Sequence, residues 1–200
     1  MGRRNDHTRE QLRALTLDAA SQLVASHGLK GLSARRIAEE IGYSAGSLYV
    51  VFANLDDIVV HVNAATLAEL HDAIAHIPVA EPDPAQAMQA LAKTYLQFAI
   101  ANANRWRCIF DHRLPESVDL PDWYLAQVGR MFAVVAEPIA RLRPDLDAAG
   151  LQRAARALWS AVHGVCILGL DDKLDLSRDI QVDDVLETLV RTVMAGATEL

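Results

Sequence analysis

The residues able to do chemistry in this chain gather between Ser33 and Phe52, and their chemistry is hydrogen bonding and close packing. The segment Ser33-Ala34-Arg35-Arg36-Ile37-Ala38-Glu39-Glu40-Ile41-Gly42-Tyr43-Ser44-Ala45-Gly46-Ser47-Leu48-Tyr49-Val50-Val51-Phe52 combines hydroxyls and guanidinium groups with a sparse apolar set. Ala38 is small enough for two short helices to cross closely. Gly42 tolerates the positive φ that a tight turn between them requires. Ile37, Ile41, Leu48 and Phe52 supply a little core. This is the build of a helix-turn-helix, whose second helix fits the DNA major groove, where the edges of all four base pairs differ.

Catalytic chemistry finds no such arrangement. There is no nucleophile elbow, phosphate loop or metal pair. His71 and His76 are five residues apart and do not share a helix face. Asp111-His112 has no Ser or Cys nucleophile assigned to it. Cys108 and Cys166 are far apart and join no ligand-like cluster, so neither a disulfide framework nor a zinc site is expected, and a reducing cytoplasm fits. No enzyme activity, catalytic residue, metal or cofactor is expected.

The elements that must position the 33–52 segment are helical. Hydrophobic residues make up 52% of the 200 residues and charged ones 22%, enough for a real core and too few charges for general disorder. A first helix is predicted from about Thr8 to His27, with Leu12, Leu15, Ala19 and Leu23 as its stripe and Gly28 as a left-handed cap. A second starts after the N-cap Ser33, with Leu32 and Ile37 placed as a hydrophobic staple. A tight turn at Tyr43–Gly46 leads to a third helix from Ser47 to Phe52. Asn54 caps a fourth, which runs to about His76 and stops before Pro78. The connector Glu81-Pro82-Asp83-Pro84 opens a fifth, ending near Asn102. A short sixth covers Arg105–Phe110. Longer ones follow at about Asp122–Arg143 (bent near Pro138), Asp147–Leu170 and Val182–Ala197. The fold class is all-α, with a three-helix head at 1–53 on a six-helix body at 54–200.

Charge is distributed unevenly between these parts. Residues 1–53 carry seven Lys or Arg against five acids, so they are net +2 in a chain of net −7, and −9 falls on the rest. A basic head on an acidic body orients the head toward a polyanion. Met1–Glu10 lacks the apolar run of a signal peptide. Ala157–Leu170 is interrupted by Ser160 and His163 and is too short to span a bilayer, so no membrane contact is expected.

The stretch from the first helix to Asp57 resembles the TetR family of bacterial regulators, with Ile37-Ala38, Gly42, Gly46, Leu48-Tyr49 and Phe52 as its fixed points. The resemblance implies a third helix in the major groove, flanked by phosphate contacts. It places Tyr43, Ser44, Ser47 and Tyr49 on the groove-facing and phosphate-facing surface. Ser33 with Arg35 or Arg36 falls at the start of helix two, within reach of phosphate, and Asn54 at the start of helix four. Three positions depart from the family pattern: Ala45 and Leu55 stand where lysines are common, and Val50 where His or Tyr is. Guanine reading by a cation on this helix is thereby removed. Hydroxyls, thymine methyl contacts and an arginine of the N-terminal arm (Arg3 or Arg4) remain.

The resemblance also implies a twofold dimer on a double-stranded, inverted-repeat operator, released by a small-molecule effector. Val182, Val185, Leu186, Leu189, Val190, Val193 and Met194 form an unbroken stripe, and helix eight is apolar nearly all round. An intersubunit four-helix bundle would use Leu158, Val162, Val165, Leu186, Leu189, Val190 and Val193. Trp106–Pro115 with Pro121–Tyr124, and Trp159–Gly164, resemble the WHG-type C-terminal domain of this family. The expected effector is apolar or aromatic, and its expected lining is Leu70, Tyr95, Phe98, Trp106, Phe110, Trp123 and His163, with Val62 and Leu91 beside them. Repression is usual for the family. Activation, or action through protein partners with weak DNA binding, is the alternative reading.

Overall fold

Local capping sets most of the helix starts. In the computed structural model, which describes residues 7–77, 83–175 and 179–199, every regular element among the described residues is helical. Helix α1 spans Arg9–His27, and Thr8 and Gln11 cap it reciprocally, Gln11 N donating to Thr8 Oγ1 at 3.2 Å and Thr8 N to Gln11 Oε1 at 2.8 Å. Its buried face runs through Leu12, Thr16, Ala19, Leu23 and Val24, so Thr16 takes the place expected for Leu15, its hydroxyl donating to Leu12 O at 2.7 Å. Gly28 ends the helix at φ 67°, but its ψ of −177° is extended rather than left-handed helical, and a 3-10 turn, Leu29–Gly31, follows.

Helix α2 is Ala34–Glu40 and α3 is Ala45–Leu48. The turn between them closes with Tyr43 N on Ala38 O at 2.8 Å and Gly42 N on Glu39 O at 3.3 Å. Gly42 adopts φ +70°, the positive value this closure demands. The third helix begins two residues earlier than its sequence indicates. Ser44 is its N-cap, and Gly46, expected in the turn, lies inside the helix. Turn hydrogen bonds continue past it, from Val51 N and Phe52 N to Leu48 O, both 3.0 Å.

Helix α4 covers Leu55–Ala75, α5 Pro84–Ala101, α6 Ala103–Asp111, α7 Asp122–Leu142, α8 Ala148–Leu170 and α9 Val182–Glu199. Asn54 caps α4, Asp57 N donating to its Oδ1 at 2.8 Å, and Asp57 Oδ2 in turn accepts Ala53 N at 2.9 Å. Asp83 receives Ala85 N at 2.8 Å at the start of α5, and Asp147 receives Gly150 N at 2.6 Å at the start of α8. Pro138 lies within α7. Arg3, Arg4, Pro78, Glu81 and Pro82 lie outside the described residues. No helix among the described residues is long and apolar enough to cross a membrane.

The chain divides into two compact units. The first is 1–67 with 102–124, and the second is 68–101 with 125–200. Leu23, Val24, Ile37, Ala38, Leu48, Phe52, Ile58, Val62 and Cys108 form the core of the first, where α6 packs on α1. In the second, α5 and α8 both pack on α9. Leu158, Val162, Leu186 and Val190 are buried there, within a single chain. Of the residues expected at a dimer seam, Val165 and Leu189 are half-buried and Val193 is exposed.

Candidate nucleic-acid interface

A four-residue helix has no stability of its own, because nucleation leaves most of its backbone groups unmatched. Helix α3 is held from below and from its end. Below, Leu48 is fully buried and Phe52 nearly so. At the end, two arginines of α1 donate to carbonyls that the short helix leaves open. Arg9 Nη2 reaches Val50 O, and Arg13 Nη1 reaches Val51 O at 3.0 Å. Cations at a helix C-terminus also oppose its partial negative charge. Arg13 lies 4.4 Å from the Phe52 ring centroid, and its Nη2 donates to His61 Nε2 at 2.6 Å. Burial first, then the charge of Arg13, hold His61 below the ordinary imidazole value, and Asp57, 3.5 Å away, partly opposes the shift.

This clamp is invisible to motif reading, which counts Arg9 and Arg13 only as cations available to phosphate. Their spacing of four on α1 was the signal that both guanidinium groups leave the same face. His7 was also missed; its Nδ1 pairs with Tyr43 Oη at 2.7 Å.

The residues expected to meet DNA fall into two groups. Ser33, Asn54 and Arg36 are engaged in building the scaffold. Ser33 Oγ accepts Arg36 N at 3.3 Å as the cap of α2, Asn54 caps α4, and Arg36 Nη1 donates to Gly31 O at 2.6 Å. Arg35 is exposed and paired with Glu39 at 2.7 Å, a contact that lifts its pKa through the hydrogen bond and then the opposite charge. Surface pairs of this kind exchange partners at little cost. The second group lies on α3 and its two ends. Ser44 and Ser47 share a hydroxyl–hydroxyl hydrogen bond of 2.9 Å. Tyr49 and Val50 are 47% and 53% exposed, beside the buried Leu48. Gly46 is exposed, and a Cβ built there would meet only Ser44 Oγ, at 3.8 Å. The outer face of α3 thus offers hydroxyls, a bare backbone and a valine side chain, with no cation.

The residues expected to line an effector site are divided between the two units. In the first, Trp106 is fully buried and meets Phe110 edge-on at 5.3 Å. Trp123 is 43% exposed and stacks on His61 at 4.8 Å, so it covers an imidazole of the first unit. In the second, Leu70 is buried, Phe98 is half-buried, and Tyr95 Oη pairs with His163 Nδ1 at 2.8 Å. His163 stacks on Trp159 at 5.1 Å, and burial lowers its pKa. Cys108 and Cys166 are free and buried, and burial pushes the Cys108 thiol up to about 11. No cluster with the makings of a metal site occurs among the described residues.

Comparison with known proteins places this geometry. A family profile described as bacterial regulatory proteins, tetR family, matches residues 17–62. Another, described as tetracyclin repressor-like, C-terminal domain, matches residues 88–193. The HTH-type transcriptional regulators Rv1816 of Mycobacterium tuberculosis and Mb1846 of Mycobacterium bovis are each 25% identical over 146 residues. That alignment covers 70% of this chain and 62% of each relative, so the chain spans less than two thirds of the curated relatives it matches. Among solved structures, a protein of unknown function from Rhodococcus sp. RHA1 has a TM-score of 0.74 at 20% identity, over 98% of both chains. The putative regulatory protein SCO4313 has a TM-score of 0.73 at 21% identity, over 94% of this chain and 97% of that one. FadR of Bacillus subtilis, solved in complex with stearoyl-CoA, has a TM-score of 0.69 at 10% identity, over 92% and 98%. At these identities the structures carry the fold alone. The two profile matches, one of them spanning more than half of the sequence, carry the assignment: the chain belongs to the TetR family of bacterial transcriptional regulators.

Proposed function

We propose that this protein is a homodimeric repressor that binds an inverted-repeat operator through α3 and releases it when a small apolar or aromatic effector occupies its body. The proposed division is a DNA-binding part at 1–53 and a sensing and dimerising part at 54–200. The observation that carries the reading is the outward side of α3 and its end, where Ser47 is partly exposed and Tyr49 and Val50 are exposed, on a helix whose inward side and end are fastened. On a major groove, that face would offer hydroxyls to phosphates and base edges and the Val50 methyls to thymine. Tyr95 and His163, with Leu70 and Phe98 in the same unit, support an effector site with an apolar wall and a polar fixture. The stearoyl-CoA held by the Bacillus subtilis neighbour supports an apolar effector for this fold.

A second reading, a regulator that works through protein partners with weak DNA binding, draws on the arginines. Arg9, Arg13, Arg35 and Arg36 all have partners within the chain. Titration of wild type, Tyr49→Phe and Ser47→Ala against operator and scrambled duplex at several salt concentrations separates the readings. Tyr49→Phe is expected to weaken operator binding by about 1 kcal/mol with little change in sequence preference. Ser47→Ala is expected to relax preference at one position per half-site. Operator binding equal to wild type in both variants would remove α3 from the groove. A wild type with no preference for operator over scrambled duplex would favour the partner-protein reading.

A further inference from the structure

His61 of α4 holds its Nε2 between a donor and an acceptor. Arg13 Nη2 donates to it at 2.6 Å, and Asp57 Oδ1 lies 3.5 Å from the same atom. One imidazole nitrogen cannot serve both. Unprotonated, it accepts from the guanidinium and has nothing to give the carboxylate. Once it takes a proton from solvent it becomes a positively charged donor, which repels Arg13 and attracts Asp57. Among the described residues, the charged groups that act on the ring are Arg13 of α1 and Asp57 of α4 itself. The end of α3 and the start of α7 present rings to it instead, Phe52 edge-on at 5.9 Å and Trp123 stacked at 4.8 Å with 12° between the planes.

The choice of partner matters because of what else Arg13 holds. Its Nη1 donates to Val51 O at 3.0 Å, and its guanidinium lies over the Phe52 ring at 4.4 Å. The guanidinium is a rigid planar fork, so tying Nη2 to His61 fixes the direction in which Nη1 points at Val51. Loss of the His61 tie frees the fork to turn. Asp57 is also committed, since its Oδ2 accepts Ala53 N just beyond Phe52. We propose that His61 is a positioning residue for α3, which it fastens through Arg13 when unprotonated and releases by exchanging Arg13 for Asp57 when protonated, with Trp123 shielding the ring. The effect on operator affinity rests on the DNA-binding reading; the exchange of partners does not. Trp123, expected against an effector, takes a different task here. Burial is the first cause that keeps His61 below the ordinary imidazole value, and the stacked indole covers one face of the ring.

Nuclear magnetic resonance of the full chain, followed from about pH 8 to about pH 5, reads the exchange directly. The His61 imidazole nitrogens report the proton, and the Val51 carbonyl carbon reports the bond from Arg13. In wild type the two are expected to move together, with one midpoint below about 6.5. His61→Gln keeps an acceptor for Arg13 and takes no proton, so its Val51 resonance should hold the wild-type position of high pH throughout. Trp123→Ala should move the shared midpoint up toward the ordinary value, and Trp123→Phe should leave it in place. Operator affinity of wild type should fall about tenfold more across this midpoint than that of His61→Gln, a comparison that subtracts the contribution of other groups. A Val51 resonance that ignores the His61 titration would overturn the proposal. So would a Val51 shift in His61→Gln equal to that of wild type, or equal loss of operator affinity in the two proteins. Should His61→Gln fail to fold, the Trp123 variants decide, because the Val51 midpoint must follow that of His61 in each. A wild type with no operator preference at high pH would sink the DNA-binding reading, and the Val51 resonance would still decide the exchange.

Discussion

Two glycines four residues apart separate what the fold requires of the head from what DNA would require. Gly42 has φ +70° and open space around its α-carbon, so a methyl group there would strain the backbone without touching a neighbour. Gly42→Ala is expected to cost about 1 kcal/mol and to lower the melting temperature by a few degrees. Gly46 has neither constraint, for it lies inside α3, exposed, with room for a Cβ. Gly46→Ala should therefore leave the melting temperature unchanged or raise it, since alanine is the better helix former. Operator binding should nevertheless fall, because the added methyl would stand between the α3 backbone and the groove. Thermal melts of the two variants, paired with operator titrations, check both halves; Gly46→Ala binding operator like wild type would remove the reason for a bare backbone there. The roles of Ser33 and Asn54 as caps were legible from residue type and offset alone, since both contacts lie within three residues. The pairing of Tyr43 with His7 was not, because 36 residues intervene.

Among the elements, α3 depends most on others for its shape. Its start at Ala45 escaped the sequence reading because a glycine at position 46 reads as a turn, while the contacts that keep it helical come from α1 and from the Leu48 and Phe52 side chains. The starts of α1, α2, α4, α5 and α8 were legible because their caps are local, whereas α6 begins at Ala103, two residues before the expected Arg105, with no side-chain cap. The α1 fastening carries a pH dependence. His61 Nε2 accepts from Arg13, which requires a neutral imidazole. Its folded pKa is lowered by burial and by Arg13, so the unfolded chain takes up the proton first. The stability this contributes is fully present above the unfolded value of about 6.5 and is lost as pH falls through the lower folded value. Half-buried His163, also lowered, adds a loss of the same sign. Melting temperature followed from about pH 8 down to about pH 5 should decline through the acidic half of that window. His61→Gln, which keeps an acceptor for Arg13 but cannot take the proton, should flatten the decline; an unchanged slope would mean that His61 is not the titrating group.

For the molecule as a whole, the fold class was legible because helical periodicity, sparse glycine and local caps agree along the chain. The grouping of distant residues was harder to read. The expected effector residues divide between two units, with Trp123 lying on His61 and Tyr95 on His163, because pairings between distant residues are set by packing that no local pattern encodes. The proposed dimer is sharpened by burial. Leu158, Val162, Leu186 and Val190 are enclosed by their own chain, so charge placed there would disrupt the fold itself. Leu189 and Val193 keep surface to offer a second copy. The wild-type chain is expected to sediment as a dimer at micromolar concentration. Leu189→Asp with Val193→Asp is expected to give monomers that retain their helical circular dichroism, since charge at a closed apolar seam is strongly unfavourable. A wild type that sediments as a monomer would refute the seam.

The bonds from Arg9 and Arg13 end on carbonyl oxygens, which every residue type carries alike. The mount of α3 is therefore indifferent to the side chains at positions 46, 49 and 50. On the proposed reading, substitutions there would rewrite what the helix recognises while its seat stays fixed, so descendants of this sequence could acquire new target sequences by a few surface changes, without rebuilding the scaffold beneath them.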